Sequence, residues 1–307
     1  MTEYRLGVNT CFAVKRWPEP DAWAELVRRR LGLTLVQHSL DLVEPMSPPA
    51  LLEREGAAVR KACGDAGLEV HSTFTGLAAY SSNLLLHPDP EARALAEVWF
   101  GRMIDFSAAL GAGATGGHVG ALTARDASNE KRRADQGRQL TDSLERLAAR
   151  ARKAGLQSFL IENLAPVREP STFESLEGLL TKGDAGHVPI RPCLDVGHMC
   201  TPGLTGDEAD PYAWLRRLGA STEVVHLQQS DSGADHHWPF TEEANRAGRI
   251  EADQVLSALD SSGARRVALI LEVIPAFEAA DESVLGDLEE SVRYWQAALD
   301  RHANGLR

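Results

Sequence analysis

Eight short apolar runs alternate with eight stretches of helical periodicity along the chain, and this alternation constrains the fold more than any other feature. The runs fall at residues 5–9, 34–38, 68–74, 114–118, 157–162, 190–195, 223–228 and 266–272. Helices are predicted over 21–30, 48–66, 88–110, 127–154, 172–182, 207–218, 250–262 and 282–302. In the first of these, Trp23, Leu26 and Val27 share one face. Pro48 and Pro49 open the second helix and Gly67 closes it, the usual proline-start, glycine-end asymmetry. The strands are apolar throughout rather than alternating, as expected where helices cover both faces of a parallel sheet. Eight unbroken strand–helix units predict a single (β/α)8 TIM barrel over residues 1–307. An open doubly wound sheet is the alternative. It would want a glycine-rich turn after the first strand, and Asn9-Thr-Cys-Phe-Ala-Val has none. No low-complexity linker and no solenoid-type repeat divides the chain.

Bulk properties narrow the class. Apolar residues make up 43% of the chain and charged residues 25%, the balance of a soluble globular protein. No apolar stretch approaches the length of a bilayer span, and the N-terminus enters a strand without a signal-peptide pattern. A cytoplasmic protein without a membrane partner is expected. The net charge of −12 argues against nucleic acid, whose backbone is bound by neutralising lysines and arginines. A phosphorylated small molecule stays open, because a few backbone amides or one arginine can hold it. Cys11, Cys63, Cys193 and Cys200 show no CxxC spacing and read as reduced thiols.

Four apolar runs end in a metal-ligating residue: Phe159-Leu-Ile-Glu162, Arg191-Pro-Cys-Leu-Asp195, Glu223-Val-Val-His226 and Ala268-Leu-Ile-Leu-Glu272. Active sites of parallel barrels lie at this end of the strands. Three carboxylates and one imidazole suit Mn2+, Mg2+ or Co2+ better than a structural zinc, which prefers thiolates. Further histidines also fall near strand ends: His71, His118, His198 and His237. Each alone reads as a pocket or core histidine, and together they can bind further metal.

The combination Ile161-Glu162-Asn163, Leu194-Asp-Val-Gly-His198, Val225-His-Leu-Gln228 and Leu271-Glu272 resembles the xylose-isomerase-like barrel superfamily. Within it, the chain is most similar to the sugar and sugar-phosphate isomerase/epimerase branch, which includes the ketose 3-epimerases. The resemblance implies that Glu162, Asp195, His226 and Glu272 bind one divalent metal, most often Mn2+, with Mg2+, Co2+ or Zn2+ as alternatives. It makes Glu162 and Glu272 the catalytic residues that move a proton next to a ketose carbonyl, through a metal-stabilised enediolate. His198, His118, His71, Gln228 and His237 are expected to contact the substrate. A homo-oligomer is expected of this branch. Val292, Trp295 and Ala298 of the last helix would pack on their own barrel or on another subunit.

The segment after His226 departs from the ketose 3-epimerase pattern. That pattern has an arginine a few residues on, which holds the terminal oxygen of the substrate; here no arginine follows until Arg246. A short phosphorylated ketose, such as a tetrulose phosphate, is therefore expected in place of a free hexulose. The hydroxyl-rich loop 72–83 is expected to cover the mouth, with Phe12, Trp17, Phe74 and Trp238 as pocket walls. A keto-glycoside cleaved by elimination after the same proton abstraction is the first alternative. The second is a resemblance to the type IV apurinic endonucleases, whose three-zinc ligand order can be matched by His71, His118, Glu162, Asp195, His198, His226, Asp235, His237 and Glu272. A catalytically silent barrel acting as a partner subunit is the non-enzymatic alternative.

Overall fold

Strands β1 (Glu3–Asn9), β2 (Leu35–Ser39), β3 (Glu69–Phe74), β4 (Ala114–Gly117), β5 (Ser158–Glu162), β6 (Ile190–Asp195), β7 (Val224–Leu227) and β8 (Arg266–Leu271) pair in parallel and in chain order in the computed structural model. β8 pairs with β1 from Glu3↔Arg266 to Val8↔Leu271 and closes the barrel. The structure describes residues 2–165 and 168–305. No helix among them is long and apolar enough to cross a membrane.

The outer layer follows the predicted helices, with boundaries moved by local chemistry. The helix expected over 88–110 begins at Pro90, because the Asp89 carboxylate accepts the Glu91 amide at 2.8 Å and caps it. The helix expected over 207–218 is continuous only across Pro211–Leu218. Its proline pushes the preceding residue out of helical geometry, and Asp210 caps Tyr212. The helix expected over 172–182 covers only Phe173–Glu177, since Thr181 leaves to form a bridge with Ile190. A short helix, Glu242–Ala247, lies in the loop after β7, where none was expected. The last helix, Asp281–Gly305, buries Trp295 and Ala298 against its own barrel, and Val292 packs beside them.

Strand parity sets the site. Leu35, Phe74, Ala114, Leu160, Cys193, Val224, Ala268 and Ile270 form one buried cluster separate from the large core that packs against the helices. Side chains on a strand alternate between faces, so the residue two further on points the same way. Two residues beyond Leu160, Cys193, Val224 and Ile270 stand Glu162, Asp195, His226 and Glu272. The barrel interior thus passes from an apolar plug to a charged layer within one step of the pleat. On β1 the plug position is Gly7. A Cβ there would come within 2.7 Å of the Leu35 carbonyl and 2.8 Å of the Ile270 side chain, so the strands close only around a glycine.

Candidate metal centre and active site

Glu162, Asp195, His226 and Glu272 converge: each offers a ligand atom within 4.8 Å of the others, and all four are buried. His226 Nδ1 lies 3.0 Å from Glu162 Oε1 and 2.9 Å from Glu272 Oε2. Its Nε2 lies 2.6 Å from Gln37 Oε1, and the Phe74 ring stands edge-on 4.5 Å away. Asn9 Nδ2 donates to Gln37 Oε1 and to Glu272 Oε1, both at 2.9 Å. Asp195 sits between β5 and β7. Its backbone amide donates to Asn163 Oδ1 at 2.8 Å, and its Oδ1 accepts the Gly197 and His198 amides and Gln228 Nε2.

Asp195 Oδ2 is fully buried and has no hydrogen-bond partner among the described residues. Leaving such an oxygen unpaired costs on the order of 1–3 kcal/mol or more. A cation at this point satisfies it, and the donor set of three carboxylates and an imidazole suits a hard to borderline divalent ion. The Cys193 thiol beneath His226 is pushed up to about 12 by burial, so it offers no thiolate. The protein itself shows the demand for positive charge. Burial opposes charging of His226, but the Glu272 and Glu162 carboxylates beside it carry the imidazole well above its ordinary value. Burial raises the Glu162 carboxyl; it also acts on Glu272, where His226 outweighs it and holds the carboxyl below its usual range. Metal binding here is expected to displace the His226 proton.

A second group, Asp195, His198 and His237, shares the aspartate. His198 Nδ1 donates to the Asn163 carbonyl at 2.8 Å, and its Nε2 faces Asp235 Oδ2 at 3.2 Å. His237 Nε2 faces the same oxygen at 3.4 Å. Above the two groups opens a cavity of about 270 Å3. Glu162 and Glu272 line it, as do His118, His198 and His237, whereas Asp195 and His226 lie beneath. Thr75, Gly76, Leu77 and Tyr80 supply one wall, so the loop expected over the mouth is there. Asp41 fastens it by accepting the Leu77 and Ala78 amides at 2.8 and 3.1 Å.

The Xylose isomerase-like TIM barrel profile matches residues 24–293. The chain belongs to that family. It is 28% identical to D-erythrulose 1-phosphate 3-epimerase of Brucella abortus (strain 2308), over 98% of both chains. It superposes on the crystal structure of a Rhodospirillum rubrum ATCC 11170 protein named after xylose isomerase with a TM-score of 0.89 and 36% identity, over 96% of this chain and 99% of that one. The D-psicose 3-epimerase of Clostridium cellulolyticum H10 shares the fold, with a TM-score of 0.63 and 17% identity over 96% and 97% of the two chains.

Within this family barrel, several expected site residues are placed elsewhere or are occupied. His71 is at the opposite end. It keeps company with Arg5, Gln157, Arg191 and Glu223, and its Nε2 lies 3.8 Å from Glu223. The β2–β3 register skips His71 between Val70 and Ser72, so strand alternation breaks at this residue and its ring faces the floor of the barrel, away from the mouth. Hence the nine-residue trinuclear set is not assembled. Gln228 is wholly buried. Its amide bridges Asp195 and Asp235, and its oxygen accepts from Ser230 and the His237 amide, which leaves nothing for substrate. Phe12 and Phe74 belong to the packed interior, and neither Trp17 nor Trp238 lines the cavity; Tyr80, Leu77 and Ile274 do. Arg246 sits exposed beside Glu242, away from the mouth. Asn9 and Gln37 were not anticipated. The available signal was an amide inside an otherwise apolar strand.

Proposed function

We propose that this protein is a divalent-metal-dependent epimerase of small ketoses or ketose phosphates, with a tetrulose phosphate as the favoured substrate class. One observation carries the reading: of the four converging ligands, only Glu162 and Glu272 also line the cavity. Two carboxylates that reach both the ion position and the substrate space suit proton removal and return at a carbon beside a carbonyl.

Glu162, Asp195, His226 and Glu272 would hold the ion, with Mn2+ the favoured metal. When bound, it supplies Lewis-acid polarisation of the carbonyl oxygen. One glutamate takes the proton from the carbon; the other, protonated, returns a proton to the opposite face, and the roles exchange in the reverse direction. His198, fixed by the Asn163 carbonyl, presents Nε2 toward Asp235 and the cavity and would orient a substrate oxygen. His118 and His237 would hold further hydroxyls. The wall from Thr75 to Tyr80 would exclude water.

The four-carbon phosphate rests on the substrate of the Brucella relative. No lysine or arginine is among the described residues that line the cavity, so its phosphate would be met by imidazoles. The cavity lies at the small end of ligand sites, which favours a monosaccharide over a keto-glycoside. Acidic lining and the net charge of −12 disfavour a nucleic acid. The test is a panel of paired free and 1-phosphorylated ketoses in heavy water with Mn2+. Uptake of one deuterium at C3 with formation of the C3 epimer supports the reading. Deuterium-free turnover, or none with any ketose, refutes it.

A further inference from the structure

The orientation of a histidine ligand depends on what its other nitrogen meets. At His226 that partner is Gln37, and the structure settles which Gln37 atom faces the ring. The Cys11 backbone amide can only donate, and it lies 2.9 Å from Asn9 Oδ1. The Asn9 oxygen is thereby assigned, and Nδ2 must be the atom facing Gln37 and Glu272. Nδ2 can only donate, so the Gln37 atom opposite it is the oxygen. That same oxygen stands 2.6 Å from His226 Nε2. Nε2 therefore carries hydrogen, and Nδ1 is the nitrogen aimed between Glu162 and Glu272. Ser72 Oγ, 3.0 Å from Gln37 Nε2, accepts or donates equally well and imposes no choice. The sense of the chain is set entirely from the Asn9 side.

We propose that Gln37, oriented by Asn9, is the positioning residue that makes His226 an Nδ1 ligand. The chain runs from a backbone amide through two side chains on β1 and β2 to a ligand on β7, across the barrel interior. Phe74 fixes the ring plane and Gln37 fixes the tautomer. The other tautomer would set a bare Nε2 against the Gln37 oxygen, and flipping the Gln37 amide to relieve this would set N–H against N–H at Asn9, so that tautomer is disfavoured in either orientation. The proposal rests on the metal reading above.

The test uses the full chain, Mn2+ titrations, and wild-type protein with 15N-labelled histidine loaded with 113Cd2+. Gln37→Met keeps length and removes the acceptor; Mn2+ affinity is expected to fall about 10- to 100-fold. Gln37→Glu keeps an acceptor opposite Nε2 and is expected to bind Mn2+ within about threefold of wild type. In the labelled wild-type protein, cadmium coupling is expected to Nδ1 of His226, with Nε2 protonated. This last measurement needs no variant to fold. Coupling through Nε2, or equal Mn2+ affinity in Gln37→Met and wild type, overturns the proposal. Wild-type protein that takes up no Mn2+ overturns the metal reading and this inference together.

Discussion

Gln228 Nε2 lies 3.0 Å from Asp195 Oδ1, and together with the amides of Gly197 and His198 it fills that oxygen's capacity, which leaves Oδ2 buried and unpaired. The aspartate is thus held with one oxygen committed to the protein and the other free for an ion. Mn2+ at 100 times its dissociation constant should stabilise the protein by about 2.7 kcal/mol. Asp195→Asn keeps the shape and removes the charge. Its melting temperature is expected to stay flat on adding Mn2+, while that of wild type rises. Differential scanning calorimetry with and without the ion reads this directly.

The two glutamates would serve both the ion and the proton, so their variants are compared at saturating Mn2+. Glu162→Gln and Glu272→Gln each leave the cavity shape intact and remove a proton carrier. Each should lower turnover by 100-fold or more, in line with the loss of general acid–base catalysis. Solvent deuterium incorporation into unreacted ketose distinguishes them. A variant that retains exchange at the wild-type rate is not on the proton path.

His71 and His198 make a contrasting pair. His71 lies at the barrel floor beside Glu223, and His71→Ala should leave kcat/KM within about twofold of wild type, because active sites of such barrels lie at the other end. His198 lines the cavity, anchored by the Asn163 carbonyl. His198→Ala should lower kcat/KM by at least tenfold, roughly the value of one hydrogen bond to a charged group. Steady-state kinetics on the same substrate would show whether the order is reversed.

A pH effect on the fold comes from His38, buried between Trp23 and Phe106 and lowered to about 4 by that burial. The folded value lies below the unfolded one. As pH falls, the unfolded chain therefore takes the proton first and stability drops. The contribution is intact above about 6.5 and is lost progressively toward 4, up to roughly 3 kcal/mol. Urea unfolding of the metal-free protein at pH 7 and pH 4 should show a smaller loss in His38→Leu than in wild type. Equal losses would mean that His38 does not carry the effect.

The barrel was legible because each strand announces itself as an apolar run and each of several helices stops at a glycine such as Gly67 or Gly111, both in left-handed geometry. The four converging ligands were legible for a related reason: a charged residue closing an apolar run on β5 to β8 has few uses there except in the mouth. His71 reads as a strand-end residue, but it lies early in β3, at the floor of the barrel, where the β2–β3 register skips a residue; neither its depth nor the skip is visible in composition. Asn9 and Gln37 escaped because an uncharged amide in a strand carries no charge signal; its meaning appears only when β1, β2 and β7 are brought together. Gln228 was misassigned as a substrate contact because its saturation by Asp195, Asp235, Ser230 and His237 is a property of the folded loop alone.

Anomalous diffraction from crystals soaked in Mn2+ tests the metal centre most directly. A strong peak is expected within about 2.0–2.3 Å of oxygen atoms of Glu162, Asp195 and Glu272 and of Nδ1 of His226. An absence of density among these four side chains, or a sole peak held by Asp195, His198 and His237, would contradict it.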